Sequence, residues 1–329
     1  MSVVLVVGAS SGLGKATALQ LLAEGHRVYG TSRTPERYGD LGFPLLPLDV
    51  RSSESVVHAV EALLQREGRL DVLVNCAGYE GPCAAVEETS EAQGRALMET
   101  NFFGAVRLIR AVLPVMRKQG GGKIINITSI AGPQVPTPFF AFYAASKAAL
   151  DAFSESLRLE LLPLGISVSV VQPGFFRTAI HRTMEPPAHP LPIYRARRSS
   201  ACRQDRYAIR HGGDPRVVGR LIARIVREPH PRFRYLAGND AHLTTRMRHL
   251  LPASLFEGLL RLVLDGEPLP DGVEEDEAIA EALGWRRLFL AADALEVERT
   301  DRARGLLWLL MGGLVAVWWF LRHRQGGKE

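Results

Sequence analysis

Tyr143 and Lys147 stand one helical turn apart in the stretch Tyr143-Ala144-Ala145-Ser146-Lys147. On a helix that spacing puts a phenol and an amine on the same face. A free tyrosine hydroxyl is a poor acid-base group near neutrality, because its pKa lies near ~10. A neighbouring ammonium favours the phenolate and brings that value toward working range. The same spacing also describes an ordinary solvated helix face. The pair therefore gains meaning only from the elements that position it.

Those elements begin with Val3 to Val7, a β-branched apolar run that fits a buried strand. No charged segment precedes it, so it reads as a first strand and not as a signal peptide. Gly8-Ala9-Ser10-Ser11-Gly12-Leu13-Gly14-Lys15 follows, then a helical pattern through Ala16, Leu19, Leu22 and Ala23. Small residues between a strand and a helix let backbone approach a pyrophosphate, and the helix N-terminus offers free N–H groups. The plain alternative is a tight turn with no ligand. A second strand, Arg27 to Thr31, ends in Ser32-Arg33. An NAD site usually carries an acid at this tip for the ribose 2′-hydroxyl. Arg33, with Arg37 and Ser11 nearby, would instead attract a 2′-phosphate, which favours NADP(H) over NAD(H).

Further along, Pro44 to Leu48 reads as a strand ending in Asp49-Val50. Ser52 or Ser53 caps the next helix, which carries Val56, Val57, Val60, Leu63 and Leu64 and ends at Gly68. Asp71 to Val74 is a strand closing in Asn75-Cys76-Ala77-Gly78. A long helical region, 89–118, contains Asn101 and breaks at Gly120-Gly121-Gly122. Lys123 to Thr128 leads to Ser129, then a loop with Pro133, Pro136 and Pro138 precedes the helix bearing Tyr143 and Lys147. Pro163 and Gly165 close that helix, and Ile166 to Val171 runs into Pro173-Gly174. Strand and helix alternate throughout. The pattern predicts an α/β fold, a Rossmann-type doubly wound parallel sheet of about seven strands with helices on both faces. Gly8, Arg33, Asp49, Asn75, Ser129 and Pro173 all fall at strand C-termini, where such sheets gather ligands.

With these residues in this order, the sequence resembles the short-chain dehydrogenase/reductase family over roughly residues 1–240. The resemblance rests on Gly8-x-x-x-Gly12-x-Gly14, Asn75-x-Ala77-Gly78, Asn101, Ser129, Tyr143-x-x-x-Lys147 and Pro173-Gly174-x-x-x-Thr178. Arg33 with Ser11, and the segment from Asp214 to Leu264, look most similar to the branch of 17β-hydroxysteroid dehydrogenase type 1 and the retinol dehydrogenases. The resemblance implies hydride transfer between a nicotinamide and a carbonyl or alcohol carbon. It makes Tyr143 the acid or base, and has Lys147 lower the Tyr143 pKa and bind the nicotinamide ribose. Ser129 would hold the substrate oxygen, and Asn101 a water leading toward Lys147. Around the cofactor it places Gly8, Ser10, Ser11, Gly12, Leu13, Gly14, Arg33, Asp49 at the adenine, Val50, Asn75, Ala77, Gly78, Pro173, Gly174 and Thr178. Individually, Asn101 also suits a helix interior, and Ser129 or Thr178 a cap. Two positions depart from the family pattern, Val7 for Thr and Cys76 for Asn, and both mainly support turns. A homodimer or homotetramer is a further implication.

Beyond the sheet, 179–213 is where the family holds a substrate lid. Here Pro186, Pro187, Pro190 and Pro192 argue against one continuous helix. Arg195, Arg197, Arg198, Arg203, Arg206 and Arg210 read as a solvated loop, or as contacts to an anionic substrate or headgroup. Asp214 caps a helix from Pro215 to Val226, Phe233 to Leu236 is a last strand, and Leu250 to Leu264 is an apolar helix pattern. An acidic linker and helix, 265–304, then precede an apolar, uncharged run from Gly305 to Leu321 and a basic tail, 322–329. That run is at the short end of the ~17–25 residues a membrane span needs. It is apolar all round, with Trp308, Trp318 and Trp319 near its ends and arginines on both flanks, so it predicts membrane association rather than a docked amphipathic helix.

Composition sets the limits. The chain has 329 residues, 47% of them hydrophobic, and a net charge of +5, which suits anionic partners without suggesting nucleic acid. No metal-ligand spacing appears. Three cysteines, Cys76, Cys83 and Cys202, are too sparse for a disulfide framework and predict free thiols in a reducing, cytoplasmic setting. The combined expectation is a membrane-associated NADP(H)-dependent oxidoreductase for a small lipophilic carbonyl or alcohol, steroid-, retinoid- or acyl-like, with its catalytic residues in 1–264. The alternatives are an NAD-dependent alcohol dehydrogenase of the same fold and a non-catalytic dinucleotide sensor tethered to a membrane.

Overall fold

The computed structural model describes residues 1–264. The acidic stretch 265–304, the run Gly305 to Leu321 and the tail 322–329 lie outside the described residues, and so does the membrane association expected of them. Among the described residues no helix is long and apolar enough to cross a membrane.

Seven strands make one parallel sheet: β1 (Val3–Val7), β2 (Arg27–Ser32), β3 (Leu45–Pro47), β4 (Val72–Asn75), β5 (Gly122–Ile127), β6 (Ile166–Pro173) and β7 (Arg234–Ala237). They lie in the order β3-β2-β1-β4-β5-β6-β7. β1 pairs with β2 on one side and β4 on the other. The strand order therefore reverses at β1, and a crevice opens beyond the carboxyl ends there. The helices are α1 (Gly12–Ala23), α2 (Ser53–Glu67), α3 (Glu91–Met98), α4 (Gly104–Gln119), α5 (Ala141–Leu161), α6 (Arg195–Arg210), α7 (Pro215–Arg227), α8 (Asn239–Leu250) and α9 (Ala253–Leu264). The architecture is the one the alternating pattern predicts.

β1 shows why the sheet is covered on both sides. Its five residues are all buried. Val3, Leu5 and Val7 join a core with Leu63, Leu108 and Leu157, while Val4 and Val6 join another with Leu21, Val218 and Ile222. Alternate side chains point to opposite faces, so a strand apolar at every position needs a helix layer on each. The local stops follow their sequence signals. The Ser52 side chain accepts from the Ser55 N–H, Gly68 closes α2 with φ 69°, and Asp214 caps α7 by accepting from the Arg216 N–H.

Two features depart from the sequence reading. The arginine-rich part of 179–213 is the helix α6, where a solvated loop is the sequence expectation. The prolines end at Pro192, so nothing interrupts the chain from Arg195 onward, and α6 buries Ser200, Ala201, Tyr207 and Ile209. Second, Cys83 and Cys202 form a disulfide, Cα to Cα 6.1 Å, against the expectation of free thiols. α6 folds back over the loop that follows β4 and brings the two together across a separation of 119 residues. Only Cys76 is a free cysteine, which removes the support that free thiols lent to a cytoplasmic placement.

Candidate active site

The carboxyl end of β5 delivers Ser129, and α5 delivers Tyr143 and Lys147. Ser129 is buried, its Oγ accepts from the Ala131 N–H at 3.0 Å, and it stands close enough to the Tyr143 phenol to pull that group's pKa down. The Lys147 Nζ lies 5.8 Å from the centroid of the Tyr143 ring and donates to the Ile127 carbonyl at 3.1 Å. α5 thus places phenol and amine on one face beside a serine from the neighbouring strand, as the spacing predicts. Phe139, just before α5, is the non-glycine residue with left-handed backbone among the described residues, φ 66°. Its carbonyl takes the Ala84 N–H at 2.8 Å, tying the loop after β4 to the start of α5.

Asn101 is fully buried in a π-helical turn, Glu99–Phe103, that links α3 to α4. Such turns recur where a helix must aim a side chain inward. Its Nδ2 donates to the Tyr79 carbonyl at 2.9 Å and to the Ser146 Oγ at 3.1 Å, and its Oδ1 accepts from the Tyr79 N–H at 3.0 Å. Ser146 in turn donates to the Tyr143 carbonyl at 2.7 Å. Gly78 sits between the groups: a Cβ there would lie 3.2 Å from Asn101 Oδ1 and 3.3 Å from Lys147 Nζ. Glycine is what allows amide and amine to converge on the loop after β4.

The charges do not follow the sequence reading. Burial raises the Tyr143 pKa, Glu80 and Asp205 raise it further, and the Ser129 hydrogen bond opposes them. Burial lowers the Lys147 amine to about 8. The expectation that Lys147 draws the phenol down is therefore corrected for the protein alone. The amine is desolvated and engaged by a backbone carbonyl, and the phenol is held neutral, in the donor form.

Around the glycine turn, a Cβ on Gly14 would meet the Gly8 carbonyl oxygen at 2.2 Å, and one on Gly12 would touch Thr178 at 3.4 Å. Ser11 is the N-cap of α1 but makes no side-chain cap bond, so its hydroxyl does not occupy the first-turn N–H groups. Leu13 packs against the core beneath, and Ser10 is half-buried. Asn75 is buried at the tip of β4 with its Oδ1 lacking any hydrogen-bond partner. Gly8 backs onto Ala77. Pro173 accepts from the Ile130 N–H, and the Gly174 N–H donates to the Ala237 carbonyl. Val50 is buried against Gly104, while the Asp49 carboxylate is paired with Arg51 and feels Arg33. A cavity of about 380 Å³ opens beside the turn, lined by Gly12, Arg177, Thr178 and Arg182 among others. An orphaned amide oxygen that can accept, an uncapped helix start that can donate and a cationic cleft suit the hydroxyls and phosphates of a dinucleotide.

Two groups carry no sequence signal. Glu80 follows β4 and is 5% exposed; Asp205 lies on α6. Burial raises both carboxyls, each acts on the other, with Asp205 adding to the rise of Glu80, and both act on Tyr143. Nearby, Glu88 is fully buried and pairs with Arg198 of α6, while also accepting from the Leu191 and Ala85 N–H groups. These contacts depend on how 179–213 folds back, which local patterns do not encode.

A doubly wound sheet with a glycine turn at β1 and a Ser-Tyr-Lys group at β5 and α5 defines a dinucleotide-dependent oxidoreductase. The chain belongs to the short chain dehydrogenase family, whose pattern matches residues 2–188. It is similar to the 3-ketodihydrosphingosine reductase of Bacteroides thetaiotaomicron, 40% identical over 264 residues, 79% of this chain and 97% of that protein. A crystallised short-chain dehydrogenase from Streptomyces avermitilis is 35% identical, with a TM-score of 0.68 over 79% of this chain and 95% of that one. Another, from Burkholderia cenocepacia in complex with NADP, is 27% identical, with a TM-score of 0.62 over 79% of this chain and 97% of that one. The relatives are compatible with the hydroxysteroid and retinol dehydrogenase branch. The chain is thus an oxidoreductase that uses a nicotinamide dinucleotide to interconvert carbonyl and alcohol.

Proposed function

We propose that the chain is an NADP(H)-dependent reductase of a lipophilic ketone, with Tyr143 as proton donor, and that 179–213 is its substrate lid. The observation that carries this is the neutral Tyr143 phenol, set beside Ser129 and with the buried Lys147 Nζ 5.8 Å from its ring centroid. The bound nicotinamide supplies the hydride. Ser129 and Tyr143 present two hydroxyls to one carbonyl oxygen, and Tyr143 gives that oxygen its proton. Asn101 positions Ser146 and the backbone at Tyr79, and Lys147 stands ready to return a proton toward the phenol. Gly12, Gly14, Asn75 and Thr178 hold the dinucleotide, and Arg33 at the end of β2 meets the 2′-phosphate. The NADP-bound Burkholderia structure supports the cofactor choice, and the Bacteroides reductase supports a long-chain ketone. The apolar run at Gly305 to Leu321 would bring the chain to the membrane where such a substrate resides.

The test is oxidation of NADPH, with NADH in parallel, by the detergent-solubilised full chain on a panel of long-chain ketones. Tyr143→Phe should lower kcat on the order of 10²–10⁴-fold, the range of general acid catalysis, while NADPH still binds in a fluorescence titration. Retained turnover in that variant would remove the phenol from the chemistry.

A further inference from the structure

The basic charge of the chain is concentrated in one segment. Residues 179–213 hold seven arginines against two acids, a net +5 that equals the net charge of all 329 residues. The tip of that segment, 189–198, is fastened to the turn Val86–Glu88. The buried Glu88 carboxylate accepts the Leu191 N–H at 2.8 Å and pairs with Arg198, and the Glu88 carbonyl takes the His189 N–H at 3.0 Å. The Tyr194 hydroxyl donates to the Glu87 carboxylate, and its ring meets Phe139 edge-on at 6.3 Å between centroids, just ahead of α5. Pro190 and Pro192 fix the backbone between these ties. Turn and tip form one braced platform.

What the platform shows to solvent is aliphatic and basic. Ile193 is 81% exposed, more than any other large hydrophobic side chain after Met1 among the described residues, and Val86 is 61% exposed. Each adjoins in sequence one partner of the Glu87–Tyr194 hydrogen bond, and neither packs into the two cores. Single exposed aliphatic residues are common, but two from distant segments braced on one platform serve no packing in the fold. Arg195 and Arg197 are exposed in the first turn of α6, where no acid offsets them. Cations there face the positive end of the helix dipole, so they are not placed for the sake of the helix. The acids nearby in the chain are engaged: Glu87 by Tyr194, Glu88 by Arg198 and Glu91 by Arg95.

Aliphatic side chains with arginines beside them match an anionic bilayer. Lipid accepts an isolated aliphatic side chain at the depth of its headgroups, while guanidinium groups stay with the phosphates. A specific protein partner needs a buried area on the order of 1,200 Å² or more, which two protruding side chains do not supply. We propose that Val86 and Ile193 enter the headgroup layer of an anionic membrane, with Arg195 and Arg197 on its phosphates, so that 179–213 docks on the bilayer. This contact is separate from any made by the run from Gly305 to Leu321. It rests on the surface alone and does not depend on a ketone being the substrate.

The test attaches an environment-sensitive dye to the full chain through Ile193→Cys or, for comparison, through Glu61→Cys on α2, both exposed positions. The wild type treated alike gives the background from Cys76. Each protein meets vesicles of phosphatidylcholine alone and of phosphatidylcholine mixed with phosphatidylglycerol. On the mixed vesicles the dye at 193 should shift to the blue and be quenched by brominated lipid, and the dye at 61 should do neither. High salt should weaken the quenching, because it screens the arginine–phosphate attraction. Adding Arg195→Gln/Arg197→Gln to Ile193→Cys should lower the ratio of quenched to unquenched dye on the order of tenfold, since each basic residue beside an anionic surface contributes about a factor of five. Arg195→Gln alone serves if the double change does not fold. The dye reports the tip itself, so an anchor elsewhere in the chain does not imitate the result, and no turnover enters the readout. A dye at 193 that stays in water on every vesicle overturns the proposal. Equal quenching at 61, or quenching that the arginine changes leave untouched, overturns it as well.

Discussion

The glycine turn between β1 and α1 and the segment 179–213 flank the same crevice but are specified in opposite ways. The turn is local. Residues within one short stretch set its path, and its working groups are backbone. The 179–213 segment is held from a distance, by the Cys83–Cys202 disulfide, the buried Glu88–Arg198 pair and the Glu80–Asp205 carboxyls. A part whose ligand is a common cofactor can be built from backbone and small residues. A part that must suit one substrate needs side chains, and those come from wherever the fold brings them. The contrast predicts that damage to the turn removes cofactor binding, whereas damage to the segment changes substrate handling with the cofactor still bound.

The largest effect should come from Gly14→Ala. Its Cβ would sit 2.2 Å from the Gly8 carbonyl oxygen, and neither backbone can yield without distorting the turn. A penalty of roughly 4 kcal/mol belongs to the upper range of single substitutions, and most of it should appear as lost NADPH affinity by fluorescence titration. Near-normal affinity would mean that the turn is not the cofactor's seat, and the contrast would break at its firmer end.

Opening the disulfide probes the other side. Cys202→Ser frees α6 from the loop after β4 and removes the cross-link that restricts the unfolded chain, for an expected loss of about 2–3 kcal/mol. Thermal melting should report that loss, and kcat/KM on long-chain ketones should fall as the carboxyl pair loosens. NADPH affinity should stay close to wild type, because the turn and Asn75 lie outside the 83–202 loop that the bridge closes. An equal fall in cofactor affinity would show the two regions to be one mechanical unit.

How much of this was legible follows the same division. The sheet could be read because Val3 to Val7, Asp71 to Val74 and Ile166 to Val171 are apolar runs between glycine, asparagine and proline stops. Tyr143, Lys147, Ser129 and Asn101 could be placed because each falls at a strand end or on a helix of clear period, and the structure brings all four together. α6 was hidden by the prolines just before it and by arginines that look solvated. Glu80, Asp205 and the disulfide were hidden because single acids and cysteines far apart in sequence carry no pattern until the chain folds. The Tyr143 pKa was misread for a related reason: spacing reveals the nearby amine, and it does not reveal burial or two acids from other elements.

The smallest effect tests whether those acids are paired as the geometry requires. Burial raises both Glu80 and Asp205 above their usual values of 4.5 and 3.8. In the unfolded chain both lose their protons as the pH passes those values, while in the folded chain Asp205 keeps its proton to about pH 6 and Glu80 to about pH 9. The folded state then binds more protons than the unfolded one, so stability falls as the pH rises. Tyr143 on α5 does not titrate in this range, since its own pKa is raised. Between about pH 5 and about pH 8 the pair should cost the wild type on the order of 1 kcal/mol, read as a falling melting temperature. Glu80→Gln/Asp205→Asn should flatten that slope while Cys202→Ser, by admitting water to the pair, should only soften it. A slope identical in all three proteins would mean that the two carboxyls are solvated and separate, and the 179–213 segment would lose the feature that most distinguishes it from the glycine turn.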